Sequence, residues 1–443
     1  MALSASGAVQ RRVPTKGWRA EAAPGASRPP RMVVLANDSG PLGAADFSYV
    51  NLGDSARLSL MLTPRGGGSV GEQVGEILLT LQGALQNQPR PMTVTFQTLF
   101  LRDASDQPEC ERMLTSYYGG ELPVTNYVLQ PPCCGAAVTL EAWAIGGDSV
   151  RVERFGPHAL AVAYDSIRWV YCGGFHPDAA GAGAYSQMTS LLERMRAALA
   201  GAATDFDHVV RAWFYLGGIT EPEGATQRYM EMNRARADFY RDISFGRSLL
   251  EAEALHGIYP ASTGIGMHGQ GLVAGCVALQ TRRKDATLVH LENPQQTPAY
   301  AYHSRYSPQS PRFSRGMALV LGDYVTTWIS GTASIVNSES RHAGNIERQT
   351  EQTIDNIERL VAADTFVAHG LRGAGATLHD LAKIRVYLKR PEDFPQCKAV
   401  CERRFGRVPA IYAVADVCRP ELLVEIEGVA FSRCAPAPTT PAK

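Results

Sequence analysis

Val408-Pro409-Ala410-Ile411-Tyr412-Ala413-Val414-Ala415-Asp416-Val417-Cys418-Arg419-Pro420-Glu421-Leu422-Leu423-Val424-Glu425-Ile426-Glu427-Gly428 is a Pro-led, β-rich run that closes on two acids two residues apart. Side chains alternate across a strand, so Glu425 and Glu427 share one face. Leu423, Val424 and Ile426 around them are apolar, which argues for a buried carboxyl rather than a solvated charge. A carboxyl buried without partners costs several kcal/mol or takes a raised pKa. A raised pKa is what a proton donor at neutral pH requires.

Working outward, the run is the end of a unit that recurs. Phe100-Leu101-Arg102-Asp103 with Asp106, Pro108 and Cys110 aligns at a constant offset with Tyr387-Leu388-Lys389-Arg390 with Asp393, Pro395 and Cys397. Pro123 then matches Pro409, and Glu141 matches Glu427, with one gap. A middle copy is fainter: Trp169-Val170-Tyr171-Cys172-Gly173-Gly174 parallels Trp328-Ile329-Ser330-Gly331-Thr332-Ala333. Helical spacing follows each, through Leu191, Leu192, Met195 and Leu199 in one and Ile354, Ile357 and Leu360 in the other. Three β-α-β-α-β units are therefore expected, over 44–148, 155–283 and 314–433. The Pro- and Gln-rich stretch 284–313 is expected to be a connecting loop. Residues 1–43 read as a disordered leader and 434–443 as a disordered tail.

Composition narrows the partners. Lys+Arg and Asp+Glu both number 43, so the chain has no net charge. That balance argues against nucleic acid or an anionic membrane, and no apolar run is long enough to cross a bilayer. The 9 Cys have neither paired C-x-x-C spacing nor His at zinc-ligand spacing. Reduced thiols, a cytoplasmic location and no metal are expected.

The order strand, Gly turn, helix, strand, helix, Pro-led strand, Glu resembles the RidA/YjgF fold, an α/β (α+β) class. That fold is usually a homotrimer with its sites between subunits. Three units in one chain imply a covalent pseudo-trimer, and a monomer. Five segments sharpen the resemblance: Asn233 to Tyr240, Tyr259 to Gly266, Tyr306 to Arg315, Ser330 to Ile335, and Cys418 to Gly428. Together they resemble the chorismatases, which remove pyruvate from chorismate without a cofactor. The resemblance spans about residues 88 to 432 and places the family's catalytic acid on Glu425. Gly331 and Cys418 look like the pair found in the type that makes 3-hydroxybenzoate; the hydrolytic type tends to carry Ala at both.

The chemistry gives those residues work. Releasing pyruvate begins with protonation of the enol ether's methylene carbon, which develops oxocarbenium character. Glu425 is expected to supply that proton. Arg suits the two substrate carboxylates because its fork binds them bidentately. Arg419 and Arg315 are the first candidates, with Arg312 and Arg385 behind them. Tyr306, Tyr412 and Thr332 are expected as further substrate contacts. Three other readings stay open: a chorismate hydrolase, a RidA-type enamine/imine deaminase, and an inert binding module. Ile411 stands where the deaminases need an Arg, which counts against the second.

Overall fold

The computed structural model describes residues 33–37, 44–177, 182–246, 258–302 and 309–434. They form three six-stranded sheets. The first runs, in spatial order, Val33–Asn37, Ala44–Asn51, Ala56–Thr63, Val138–Gly146, Thr93–Leu101, Val124–Val128. The second runs Arg151–Arg154, Ala159–Tyr164, Ile167–Phe175, Leu272–Thr281, Val209–Gly217, Ala261–Met267. The third runs Ala286–Leu291, Gly316–Leu321, Tyr324–Ala333, Val424–Arg433, Leu381–Leu388, Ala410–Val414. All three share one order and one parallel pair, formed by the last two strands of each series. Joining parallel neighbours takes a crossover, and the helices Gln107–Tyr117, Arg228–Phe239 and Phe394–Phe405 supply it.

The expectation of three strands per unit was too small. The Pro-led run is a separate strand, Ala410–Val414, parallel to its neighbour, and the acids lie on the next strand, Val424–Arg433. Each unit also opens with antiparallel edge strands that a search for helix-flanking strands passes over. One of them, Ala286–Leu291, lies inside the stretch expected to be a connecting loop; its pairing to Gly316–Leu321 satisfies its backbone. Another, Val33–Asn37, falls in the expected leader. The remaining leader residues, and 435–443 of the tail, lie outside the described residues.

Each sheet carries a longer helix on its outer face: Val70–Gln86, Ala184–Gly201 or Ile346–Val361. Ser69 and Glu72 form a capping box on the first, and Asn345 caps the third. Leu81 and Leu114 pack on Leu58 and Leu140, Leu191 and Met195 on Val170 and Phe214, and Ile357 and Val400 on Ile329 and Val386. The inner faces of the three sheets meet in a fourth core, with Phe96, Trp213 and Trp328 among its members. Strands covered on both faces are buried along their whole length, as Val209–Gly217 and Leu381–Leu388 are.

Irregularities of pairing also recur. Thr95, Val210 and Ala382 are each one extra residue against the last strand of their sheet. Counting five residues on from each reaches Phe100, Tyr215 and Tyr387, which face Thr139, Val273 and Glu425. In the third sheet a second bulge sets Ser330 and Gly331 together against the single Glu427. The second sheet sets Gly173 and Gly174 against Gly275 in the same manner.

Candidate active site

The seam between the second and third sheets is stitched by polar contacts. The Ser262 amide donates to Ser330 Oγ at 2.8 Å, and the Gly331 amide to Thr263 Oγ1 at 3.0 Å. Beside this seam lies a cavity of about 220 Å³. The second sheet and its helix contribute Tyr229, Arg236, Ser262 and Gly264; the third contributes Gly331, Cys418, Arg419 and Glu425. Tyr302, Phe313 and Arg315 close it from the segment between them.

The two acids of the final strand have opposite surroundings. Glu427 accepts from Arg211 Nη2 at 2.6 Å, from Trp213 Nε1 at 2.9 Å and from Thr263 Oγ1, with Arg385 Nη1 at 3.2 Å. Glu425 is only 4% exposed, and its carboxyl takes no hydrogen bond among the described residues. Burial pushes it up to about 8, and the charge of Glu427 adds to the effect, against the pull of Arg315 and Arg211. One carboxyl is held by cations while its neighbour faces the cavity as an acid protonated at neutral pH.

Gly331 is explained by that carboxyl. A Cβ at this position would lie 2.0 Å from Glu425 Oε1 and 2.9 Å from its Cδ. Cys418 lines the same cavity, and burial, with Glu425 next, pushes its thiol up to about 12. It stays a neutral S–H there, a weak donor rather than a nucleophile.

Three guanidinium groups line the cavity. Arg315 donates from Nη2 to Thr297 O at 3.2 Å and to the Tyr302 hydroxyl, while its buried Nε has no hydrogen-bond partner among the described residues. Arg236 donates to Asn233 Oδ1 at 2.6 Å and to Ser262 Oγ at 3.4 Å, and its Nε is likewise without a partner. Arg419 donates to Ser338 O at 2.9 Å and Ser340 Oγ at 3.1 Å. A buried guanidinium donor without an acceptor is costly, and an anionic ligand relieves that cost. Among the described residues, no group of three or more His, Cys, Asp and Glu could hold a metal ion. No helix among them is long and apolar enough to cross a membrane. All 9 Cys are free thiols.

Of the expected site residues, Glu425, Gly331, Cys418, Arg419 and Arg315 come together at this cavity. Thr332 does not. Beyond the bulge it turns away from Gly331 and Ala333, is buried, and donates to Ser330 O at 2.9 Å. Tyr412 is also elsewhere: it packs on Phe394, ring centroids 5.2 Å apart, on the helix side of its strand. Its neighbours Ile411 and Ala413 point to the central core, so alternation sends Tyr412 outward. Arg385 serves the interior instead, bonded to Glu141 and Tyr215. Arg312 lies over the Tyr259 ring. Tyr306 lies outside the described residues. Arg236 and Tyr229 were missed as site residues, although Arg236 sits in one of the motif segments. Beside its place in that segment, an Arg between Ala235 and Ala237 on a helix was the hint for Arg236.

The other two seams lack the acid. Between the first and second sheets, Asn126 Oδ1 accepts from the Gly174 amide at 2.8 Å, much as Thr263 does from Gly331. The position of Glu425 is Val273 there. Between the third and first sheets it is Thr139, and residues 131–133 fill the seam by pairing with Tyr412 and Val414.

Comparisons with known proteins agree with this architecture. A family model described as Endoribonuclease L-PSP matches residues 309–432. A 3-hydroxybenzoate synthase of Streptomyces hygroscopicus is 33% identical over 65% of this chain and 80% of its own length. A chorismatase of Streptomyces rapamycinicus is 35% identical over 51% of this chain and 64% of its own. The crystal structure of a chorismatase superposes with a TM-score of 0.61 at 20% identity, covering 86% of this chain and all of that one, and so shares its fold. With one-third identity across four-fifths of the synthase, this chain belongs to the chorismatase family.

Proposed function

We propose that the protein converts chorismate to 3-hydroxybenzoate and pyruvate, with Glu425 as the acid. One observation carries this reading. The cavity joins a buried carboxyl raised to about 8 to Arg315 and Arg236, whose Nε donors have no partner among the described residues. Chorismate is a dianion with an acid-labile enol ether, and it matches both features.

In the first step the Glu425 O–H gives its proton to the methylene carbon of the enol ether. The new carboxylate faces the oxocarbenium ion and stabilises it. The ring hydroxyl oxygen then bonds to the ring carbon that carries the ether. That carbon–oxygen bond breaks, and its electron pair completes the carbonyl of pyruvate. The hydroxyl proton returns to Glu425. The resulting arene oxide opens and loses a ring hydrogen as a proton, leaving the aromatic acid. The two products together hold all the substrate's atoms, so no water is consumed. Arg236, Arg315 and Arg419 hold the two carboxylates through these steps. Gly331 leaves the space that the carboxyl occupies, and Cys418 stays beside the ring as a neutral thiol.

Purified protein given chorismate, with no cofactor or metal added, is expected to release pyruvate and 3-hydroxybenzoate in equal amounts. A non-aromatic diene in place of the aromatic acid selects the hydrolase. No pyruvate at all rejects the assignment. The free thiols support a cytoplasmic location, and the three inter-sheet seams, all made within one chain, support a monomer with the units 44–148, 155–283 and 314–433 as its three parts.

A further inference from the structure

A second cavity, of about 250 Å³, lies on the inner side of all three sheets. Its rim is three hairpin turns, at Gly53-Asp54, Asp165-Ser166 and Gly322-Asp323, one from each sheet. Its walls are aromatic: Trp169 and Trp328 meet edge to face, centroids 5.6 Å apart, with Tyr164 and Tyr171 beside them. Trp143 and Lys383 line it deeper, where Lys383 is bonded to Glu141.

Arg57 is the group this cavity leaves incomplete. Its Nη2 donates to the Tyr164 hydroxyl at 2.8 Å and its Nη1 to the Tyr171 hydroxyl at 3.3 Å. Its guanidinium stands 5.3 Å from the Trp169 ring centre. Among the described residues it has no carboxylate partner, although the other cations here do: Arg283 pairs with Asp165 and Asp285, and Lys383 with Glu141. A guanidinium offers five N–H donors in a planar fork, and the two tyrosines engage only part of them. Arg57 is half-buried beside these rings with no carboxylate opposite it, and a bound carboxylate would give its free donors charge-assisted hydrogen bonds.

We propose that this central cavity binds a one-ring aromatic monocarboxylate, its carboxylate on Arg57 and its ring among Trp169, Tyr171 and Trp328. The size fits, because an apolar cavity of about 150 Å³ already holds benzene. The rim selects charge: Asp54 and Asp323 repel a dianion more than a monoanion, so chorismate is disfavoured. The aromatic product proposed above is of this class, yet the inference does not rest on that assignment.

The test is a fluorine NMR titration of the full chain with 4-fluorobenzoate. A saturable bound signal is expected. Arg57→Met is expected to weaken it about tenfold or more, as loss of a charge-assisted pair does. Thr326→Trp, which fills the cavity from one wall, is expected to abolish it. Arg315→Met, at the other cavity, is expected to leave it in place. Circular dichroism checks that each variant folds. Should Arg57→Met not fold, 4-fluorobenzamide on the unaltered protein replaces it, with binding about tenfold weaker than the acid expected. No binding at millimolar ligand overturns the proposal. So does binding that both cavity variants leave unchanged, an amide that binds as well as the acid, or a signal lost only in Arg315→Met.

Discussion

Glu425 and Glu427 differ by one turn of the pleat and by everything around them. Glu427 has four donors, whereas Glu425 has none among the described residues. The variant Glu425→Gln keeps the shape and removes the acid, so pyruvate release is expected to fall by roughly 10²- to 10⁴-fold in a lactate-dehydrogenase-coupled assay. An active variant would move the acid elsewhere. The pH dependence follows from the raised pKa of about 8. The folded state binds this proton more tightly than the unfolded chain does. Stability from it is therefore complete below the ordinary carboxyl range and is lost as pH rises through about 8. Gln imitates the protonated form at every pH. Glu425→Gln is thus expected to melt higher than the parent, by a margin that widens from about pH 5 to pH 8, worth a few kcal/mol. Catalytic rate in the parent is expected to hold up to about pH 7, halve near pH 8 and fall further above it. Gly331→Ala pushes a methyl into the space of Glu425 Oε1, so both pyruvate release and the ratio of aromatic to diene product should change. An unchanged rate and ratio would remove its role.

At the scale of elements, the strand carrying the acids was legible because alternation and apolar flanks survive in any context. The helices were legible from Leu191 through Leu199 and from Ile354 through Leu360, whose spacing matches faces that are buried. The edge strands were not. Ala286–Leu291 is a single antiparallel partner whose only signature is a short apolar patch, Leu288, Val289 and Leu291, beside a Pro-rich stretch. Bulges were invisible too. The pair Ser330–Gly331 stands against the single Glu427, which no sequence period reveals, whereas Thr332, next to Gly331 on the strand, is turned to the opposite face by alternation alone. Tyr412 was misplaced because two strands were read as one run, without settling which face the first of them turns outward. Arg236 and Tyr229 come from a helix more than 170 positions before the acid, a juxtaposition that only the seam between sheets creates. A prediction belongs here. Ile357→Ala, in the outer core of the third sheet, is expected to cost about 2–5 kcal/mol in urea unfolding, with the product ratio unchanged.

Across the whole molecule, Glu141 of the first sheet and Glu427 of the third occupy matching places, and both are spent on internal cations. Glu141 meets Lys383 and Arg385 in the central interior. Burial alone raises a carboxyl, but Arg385 and Lys383 outweigh it and hold Glu141 down at about 2. Its contribution is present at neutral pH and is lost only as pH falls from the ordinary carboxyl range through about 2. Glu141→Gln is expected to lose about 3–5 kcal/mol at pH 7, because two buried cations lose their partner. Equal urea midpoints for variant and parent would show the network to be dispensable.

The matched seams carry Glu425, Val273 and Thr139. Identical subunits could not arrange this, since any substitution in a homotrimer appears three times at once. Concatenation breaks that constraint: one junction can keep a costly acid with no donor around it while its siblings become adhesive. It also ties the reacting groups to one another through the covalent backbone. Turnover per molecule should then stay constant down to picomolar enzyme, where a trimer held together only by contacts would fall apart.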